Sequence, residues 1–221
     1  MNNLFKKQIT EGRIFSRTAV FKAKVRKALT DLAHAFRAGP SYLALSWGKQ
    51  SIILAHMIWT MDTEVKCVFR KNPLSDLINN FNEVKDSFLS RWKINYEELE
   101  GDTDLKGNGL KYMQENGLTV VIMGLAADES NGRRITLAAA DKFNLYRYSN
   151  GFMRSCPLRH WKVMDIAAYT AAYDLPMLDT YKKFGLQQRT SAGITPGTHA
   201  EAGIDLLSDE KQKKVREYYA F

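Results

Sequence analysis

Ser46, Trp47, Gly48, Lys49, Gln50 and Ser51 place two hydroxyls, a glycine and a cation between the apolar runs at 42–45 and 52–54. If a strand leads into this knot and a helix leaves it, the knot lies at a helix N-terminus. There the first four backbone N–H groups have no intrahelical acceptor, and the aligned peptide dipoles leave partial positive charge. Gly48 lets an anion approach the backbone, Lys49 adds a point charge, and Ser46 and Ser51 add hydroxyl donors. The chemistry that follows is the seating of a phosphate or pyrophosphate. Ser46 and Ser51 would serve equally well as helix caps. Trp47 can cover a ligand or simply pack. The loop is too short for the GxxxxGK[ST] pattern.

The elements around the knot follow from periodicity. Residues 16–37 carry apolar residues at steps of three and four with cations between them, which predicts an amphipathic helix ended by Gly39-Pro40. Strands are expected at 42–45, 64–69, 118–123 and 145–148. Helices are expected at 50–61, 73–92, 131–140, 161–173 and from about residue 209. The unbroken apolar run 118–123, closed by Gly124, fits a strand buried on both sides of a parallel sheet. Strands alternating with helices predict a doubly wound, mostly parallel α/β sheet with helices on both faces. The polar, Gly-rich stretch INYEELEGDTDLKGNGL at 94–110 reads as a surface excursion.

Composition narrows the classes. The 221 residues allow one substantial domain. No apolar run is long enough to span a membrane, and MNNLFKKQIT lacks an apolar signal core. Two cysteines are too few for a disulfide framework or a cysteine-built metal site, so a reducing cytoplasm is expected. His34 and His56 fall within predicted helices, and His160 and His199 have no second ligand at metal spacing. The net charge is +8, much of it between residues 1 and 37. This basic segment suits a nucleic acid or an acidic protein; a solvated helix face reads the same way. The chain divides into a basic N-terminal segment and helix (1–40), an α/β domain (41–190) and a C-terminal tail with a helix (191–221).

The knot SWGKQS resembles the SGGxDS loop of the PP-loop, or adenine nucleotide α-hydrolase, superfamily. Its lysine version is typical of the phosphoadenylyl-sulfate (PAPS) reductase-like branch. Three later stretches extend the resemblance in the right order. MGLAADESNGRR is similar to a G-[IL]-R-x-x-E-S-x-x-R segment through Gly124, Glu129, Ser130 and Arg133 or Arg134. CPLRHWKVMDIAAYTAAYDLP is similar to a P-L-x-x-W-x-x-x-D segment through Pro157, Leu158, Trp161 and Asp165. YKKFGLQQR is similar to a closing Y-x-x-G-x-x-R through Tyr181, Gly185 and Arg189. The resemblance covers about residues 41–190. It implies an adenine nucleotide, ATP or PAPS, at the carboxyl ends of the strands.

On that resemblance the phosphate-binding set is Ser46, Trp47, Gly48, Lys49, Gln50, Ser51, Gly124 and Arg189, and the catalytic set is Lys49, Glu129 and Arg133. Glu129 can bind an amine, position a water or hold Mg²⁺; it can also be an ordinary first-turn glutamate. Trp161 and Asp165 read as packing and a helix-local polar contact. The departures matter as much. Gln50 stands where the loop aspartate is usual and removes a charge that helps hold Mg²⁺. Ala126 replaces an arginine. No cysteine follows Arg189, whereas the branch reduces its sulfonucleotide with a C-terminal thiol. Cys156 lies between Arg154 and Arg159 but not at that position. Action at the α-phosphate, with pyrophosphate release and an unnamed second substrate, is therefore expected rather than thiol reduction. The alternative is a catalytically degenerate nucleotide-binding or nucleic-acid-associated accessory protein.

Overall fold

Leu43 and Leu45, Cys67 and Phe69, and Val120 and Ile122 alternate along three strands and share one buried cluster. Tyr42 and Val68 point to the opposite face and pack against Tyr112 and Met113. Both faces of the sheet are therefore covered, which its polar backbone edges and apolar side chains require. The computed structural model describes residues 2–71, 80–100, 108–188 and 213. In chain order the elements are α1 (Asn3–Phe15), α2 (Ala19–Ala38), β1 (Ser41–Leu45), α3 (Lys49–Thr60), β2 (Lys66–Lys71), α4 (Phe81–Arg91) and β3 (Tyr96–Glu100). Then follow α5 (Asn108–Glu115), β4 (Val120–Met123), a 3-10 turn (Ala127–Glu129), α6 (Asn131–Ala138), β5 (Leu145–Arg147), β6 (Met153–Ser155), α7 (Val163–Tyr173) and α8 (Asp179–Phe184).

The six strands run β3-β2-β1-β4-β6-β5. Only β5 is antiparallel to its neighbour. From β1 the chain first moves outward to β2 and β3, then returns to β4 on the other side. The β1/β4 boundary is thus the point where strand order reverses, the place at the carboxyl ends of the strands where an open α/β sheet binds its ligand. The doubly wound α/β sheet expected from the sequence is present.

The stretch 94–110 is not wholly a surface excursion. Its first part is β3, paired in parallel with β2 from Cys67↔Tyr96 to Lys71↔Glu100. Two of its carboxylates look like solvent residues but are partnered. Glu97 pairs with Lys66 at 2.8 Å and Glu98 with Lys85 at 3.1 Å; Tyr112 and Tyr96 donate to them. An edge strand satisfied by cross-strand charges carries no apolar alternation to betray it. The helix expected at 73–92 is seen as α4; residues 72–79 lie outside the described residues, as does the tail, Lys213 apart.

α3 is buried all round from Lys49 to Ile58. It lies between β1 and α7, and α1 closes over α7. Gly12 makes that last contact: a Cβ there would stand 2.5 Å from the Ala167 carbonyl carbon. The N-cap of α1 and α1 itself also hold α8 and the residues just after it. The Asn2 amide donates to the Lys182 carbonyl at 2.9 Å, and Gln8 Oε1 accepts from the Leu186 amide at 2.8 Å. Among the described residues, no helix is long and apolar enough to cross a membrane.

Candidate functional site

β1 ends at Leu45 and the chain turns sharply into α3. Trp47 adopts φ +53°, a left-handed conformation unfavourable for a side-chain-bearing residue. Burial of the whole indole holds it there. Trp47 is completely buried, edge-on to Phe69 and Phe88. Its ring therefore belongs to the core, not to the rim of the loop, and only its backbone faces the site.

The two serines tie the loop to itself. Ser51 Oγ accepts from the Ser46 amide at 3.2 Å, lies 3.1 Å from Ser46 Oγ and donates to the Gly48 carbonyl at 3.0 Å. Ser51 is buried and Ser46 exposed, so Ser51 braces the turn while the Ser46 hydroxyl reaches solvent. The Lys49 amide, in the first turn of α3, points to the Tyr181 hydroxyl at 3.4 Å.

The register Ala44↔Met123 between β1 and β4 brings the two following loops together. Gly124 is what allows it. A Cβ on Gly124 would lie 2.7 Å from the Ser51 nitrogen and 2.9 Å from Gln50 Cβ, closer than packed atoms tolerate. Gly124→Ala must push α3 away from β4. The expected cost is about 1–3 kcal/mol, read as a melting temperature lower by roughly 2–10 °C. An unchanged melting temperature would show that the two loops are not in contact.

Across this contact lies an ionic cluster. Lys49 is 2% exposed. Its Nζ is 3.0 Å from Glu129 Oε1 and donates to the Gln188 carbonyl at 2.6 Å; the Tyr181 ring lies beneath it, 5.2 Å away. Gln50 Nε2 donates to the same Glu129 oxygen at 2.6 Å. Arg133 Nη1 pairs with Glu129 Oε2. Ser130 caps α6 by accepting from the Arg133 amide at 3.2 Å, which orients Arg133 one turn above Glu129. Arg134 points elsewhere, donating to Asn131. Two cations and one carboxylate thus meet beside the β1/β4 boundary. A buried ammonium requires such pairing, because desolvation of an isolated charge costs several kcal/mol.

Of the residues expected from sequence, Lys49, Gln50, Glu129 and Arg133 are brought together, with Gly48, Ser51 and Gly124 around them. Arg189 lies outside the described residues; the carbonyl before it belongs to the cluster. Tyr181 and Gln188 were not anticipated at the site. The tyrosine of the Y-x-x-G-x-x-R resemblance was the available signal for the first. Trp161 and Asp165 are structural. Trp161 packs against Phe21, and Asp165 accepts from the Lys162 amide and pairs with Lys24 at 2.6 Å.

The donor set does not fit a protein-held Mg²⁺. Among the described residues Glu129 is the cluster's single carboxylate, with Lys49 and Gln50 at Oε1 and the Arg133 cation at Oε2; hard divalent cations require several oxygen ligands. Among the described residues, no three His, Cys, Asp or Glu side chains stand together at metal-binding distance. The thiols are equally unsuited to attack. Burial pushes Cys67 up to about 12, and burial outweighs Arg154, Arg133 and Arg159 in pushing Cys156 up to about 11. A thiolate nucleophile needs the opposite setting. In the native protein at about pH 8, an aromatic disulfide reagent is expected to leave both thiols intact and to label both after denaturation. Rapid native labelling of Cys156 would overturn this.

No family model and no curated protein matches the sequence. Solved structures do match in three dimensions. One is described as phosphoadenylyl-sulfate (PAPS) reductase from Candida auris in a phosphate complex. It is 13% identical, with a TM-score of 0.53, over 71% of this chain and 84% of that one. Another is NMN synthetase from Francisella tularensis, 15% identical, with a TM-score of 0.51, over 89% of this chain and 86% of that one. The chain therefore has the doubly wound α/β fold that these two enzymes share.

Proposed function

We propose that this chain is a divergent, PAPS reductase-like member of the PP-loop superfamily that binds an adenine nucleotide, ATP or PAPS, at the β1/β4 boundary. The observation that carries the reading is the buried Lys49 ammonium at the start of α3, held by Glu129 from the neighbouring loop. A cation kept at a helix N-terminus runs against the helix dipole, so a phosphate accounts for it better than stability does. In the complex the backbone around Gly48 and Lys49 receives the terminal phosphates. The Lys49 ammonium exchanges Glu129 for phosphate oxygens, and Arg133 offsets the charge that develops on the α-phosphate. With ATP bound, a second substrate attacks the α-phosphorus, the α–β phosphoanhydride bond breaks, and pyrophosphate leaves. Neither thiol takes part. Any Mg²⁺ arrives bound to the nucleotide rather than to the cluster.

Calorimetric titration with ATP, AMP and PAPS, with and without Mg²⁺, tests the binding. Pyrophosphate release from ATP tests the chemistry. Binding of ATP or PAPS tens of times tighter than AMP is expected, because AMP lacks the group that Lys49 receives. Equal binding of all three would remove the basis of the reading. A second reading, a nucleotide-binding accessory module without turnover, is favoured by the pairing of Glu129 with Lys49 and Arg133 and by the loss of charge at Gln50. It expects the same binding with no pyrophosphate released. A nucleic acid or acidic protein remains the proposed partner of the basic N-terminal helices, where Lys24 and Lys27 already serve Asp165 and Asp31.

A further inference from the structure

The segment 127–134 has two sides. Glu129 and Arg133 turn toward Lys49. Asp128, Ser130, Asn131 and Arg134 turn the other way and form one wall of a separate cavity of about 240 Å³. Its opposite wall is the turn after β6, carrying Arg159, His160 and Lys162. The two walls are tied by the Ala127 amide, which donates to the Arg159 carbonyl at 2.8 Å.

On the other side of this segment Lys49 and Arg133 are both matched to the Glu129 carboxylate. Among the described residues Arg134, Arg159 and Lys162 are in no ion pair, and Asp128 is the one acid on the walls. Arg159 reaches the carbonyls of Ala140 and Ala138 only at 3.4 and 3.5 Å, and its Nε is buried without an acceptor. A concave surface that gathers three cations against one acid is complementary to an anion. The N-terminus of α6 opens on the same space and adds its partial positive charge. Both walls follow the carboxyl ends of β4 and β6, so the cavity lies on the sheet edge that carries Lys49 and on the far side of Glu129 from it.

We propose that this cavity is a second anion-binding subsite, distinct from the loop at Lys49, which takes a phosphoryl group through Arg134, Arg159 and Lys162. The assignment does not rest on the nucleotide reading, since no lining residue belongs to the Lys49 cluster. Phosphate is favoured over a singly charged carboxylate because three cations face one acid. The phosphoryl group can belong to a small phosphate ester or to a nucleic acid backbone.

His160 lines the cavity and reports on it. Partial burial, then Arg159, Lys27 and Lys24, hold its imidazole below the ordinary range, against a smaller opposing effect of Asp31. Lys162 on its own turn, and Arg134 and Asp128 across the cavity, are the other charges that face it. A bound dianion favours the imidazolium and must raise the midpoint.

The test follows the His160 ring proton by NMR, assigned with His160→Gln, during titration of the full chain with inorganic phosphate. A saturable shift is expected, with the His160 midpoint raised by about one unit. Lys49→Met should leave the shift intact. The exposed pair Arg134→Ser and Lys162→Ser, shown to be folded by an unchanged melting temperature, should weaken it at least about tenfold. A response abolished by Lys49→Met, retained in the double variant, or absent altogether overturns the proposal. Parallel titrations with AMP and with a short single-stranded oligonucleotide identify the source of the phosphate. A steep loss of oligonucleotide affinity with salt marks a nucleic acid backbone.

Discussion

Lys49→Met is expected to abolish nucleotide-dependent thermal stabilisation and to weaken ATP binding by roughly 10- to 150-fold. The range follows from the roughly 1.5–3 kcal/mol carried by a hydrogen bond to a charged group. Methionine keeps the unbranched stem that lies over the Tyr181 ring, so the packing loss is small. Glu129 keeps Gln50 and Arg133 as partners, so its carboxylate is not stranded. The melting temperature of the free protein should fall by only a few degrees, about 1 kcal/mol in a domain of this size. The two effects separate the readings. A lysine present only to balance Glu129 would cost stability and leave ATP affinity alone. An ATP dissociation constant unchanged by the substitution, measured by calorimetry at constant salt, would remove Lys49 from the site.

Glu129→Gln is expected to act in opposite directions on binding and on turnover. In the free protein the Glu129 carboxylate occupies the place on Lys49 that a phosphate needs, 3.0 Å from Nζ. Neutralising it removes the competitor and leaves two cations facing the nucleotide. ATP affinity should rise about tenfold, an electrostatic gain of ~1.4 kcal/mol. The free protein should lose about 1–3 kcal/mol, below the full cost of breaking a buried pair because the glutamine oxygen still accepts from Lys49. Pyrophosphate release, where it is detected, should fall by roughly 10²- to 10⁴-fold if Glu129 also moves a proton for the incoming group. A dissociation constant that rises would make Glu129 a ligand of the nucleotide rather than a stand-in for it. Tighter binding without pyrophosphate release in either protein would favour the accessory-module reading.

The legible and illegible parts of the molecule differ for physical reasons. α3 and β4 were readable because continuous apolar runs bounded by glycine carry a local signal. β3 was not, because Glu97, Glu98 and Glu100 in a five-residue strand resemble solvent residues until Lys66 and Lys85 appear beside the first two. β6 was missed for its brevity: Met153, Arg154 and Ser155 form a strand only because β4 and β5 flank them. Trp47 illustrates the same limit at the site. Its position in the loop left covering a ligand and packing equally open. The turn angle and the aromatic wall of Phe69 and Phe88 decide for packing.

By itself the sequence determined that a small, cationic knot joins a buried strand to a buried helix, and that residues 190–221 hold no cysteine. These are matters of neighbouring residues and short periods, which a chain carries wherever it folds. The tertiary structure alone decided that Lys49 meets Glu129, that Gln50 shares the same oxygen, and that Arg133 turns to this cluster while Arg134 lines the cavity beside Arg159. Those partners lie some eighty residues apart. They meet because β1 and β4 pair in parallel with Ala44 opposite Met123, and because Gly124 lets the two loops touch.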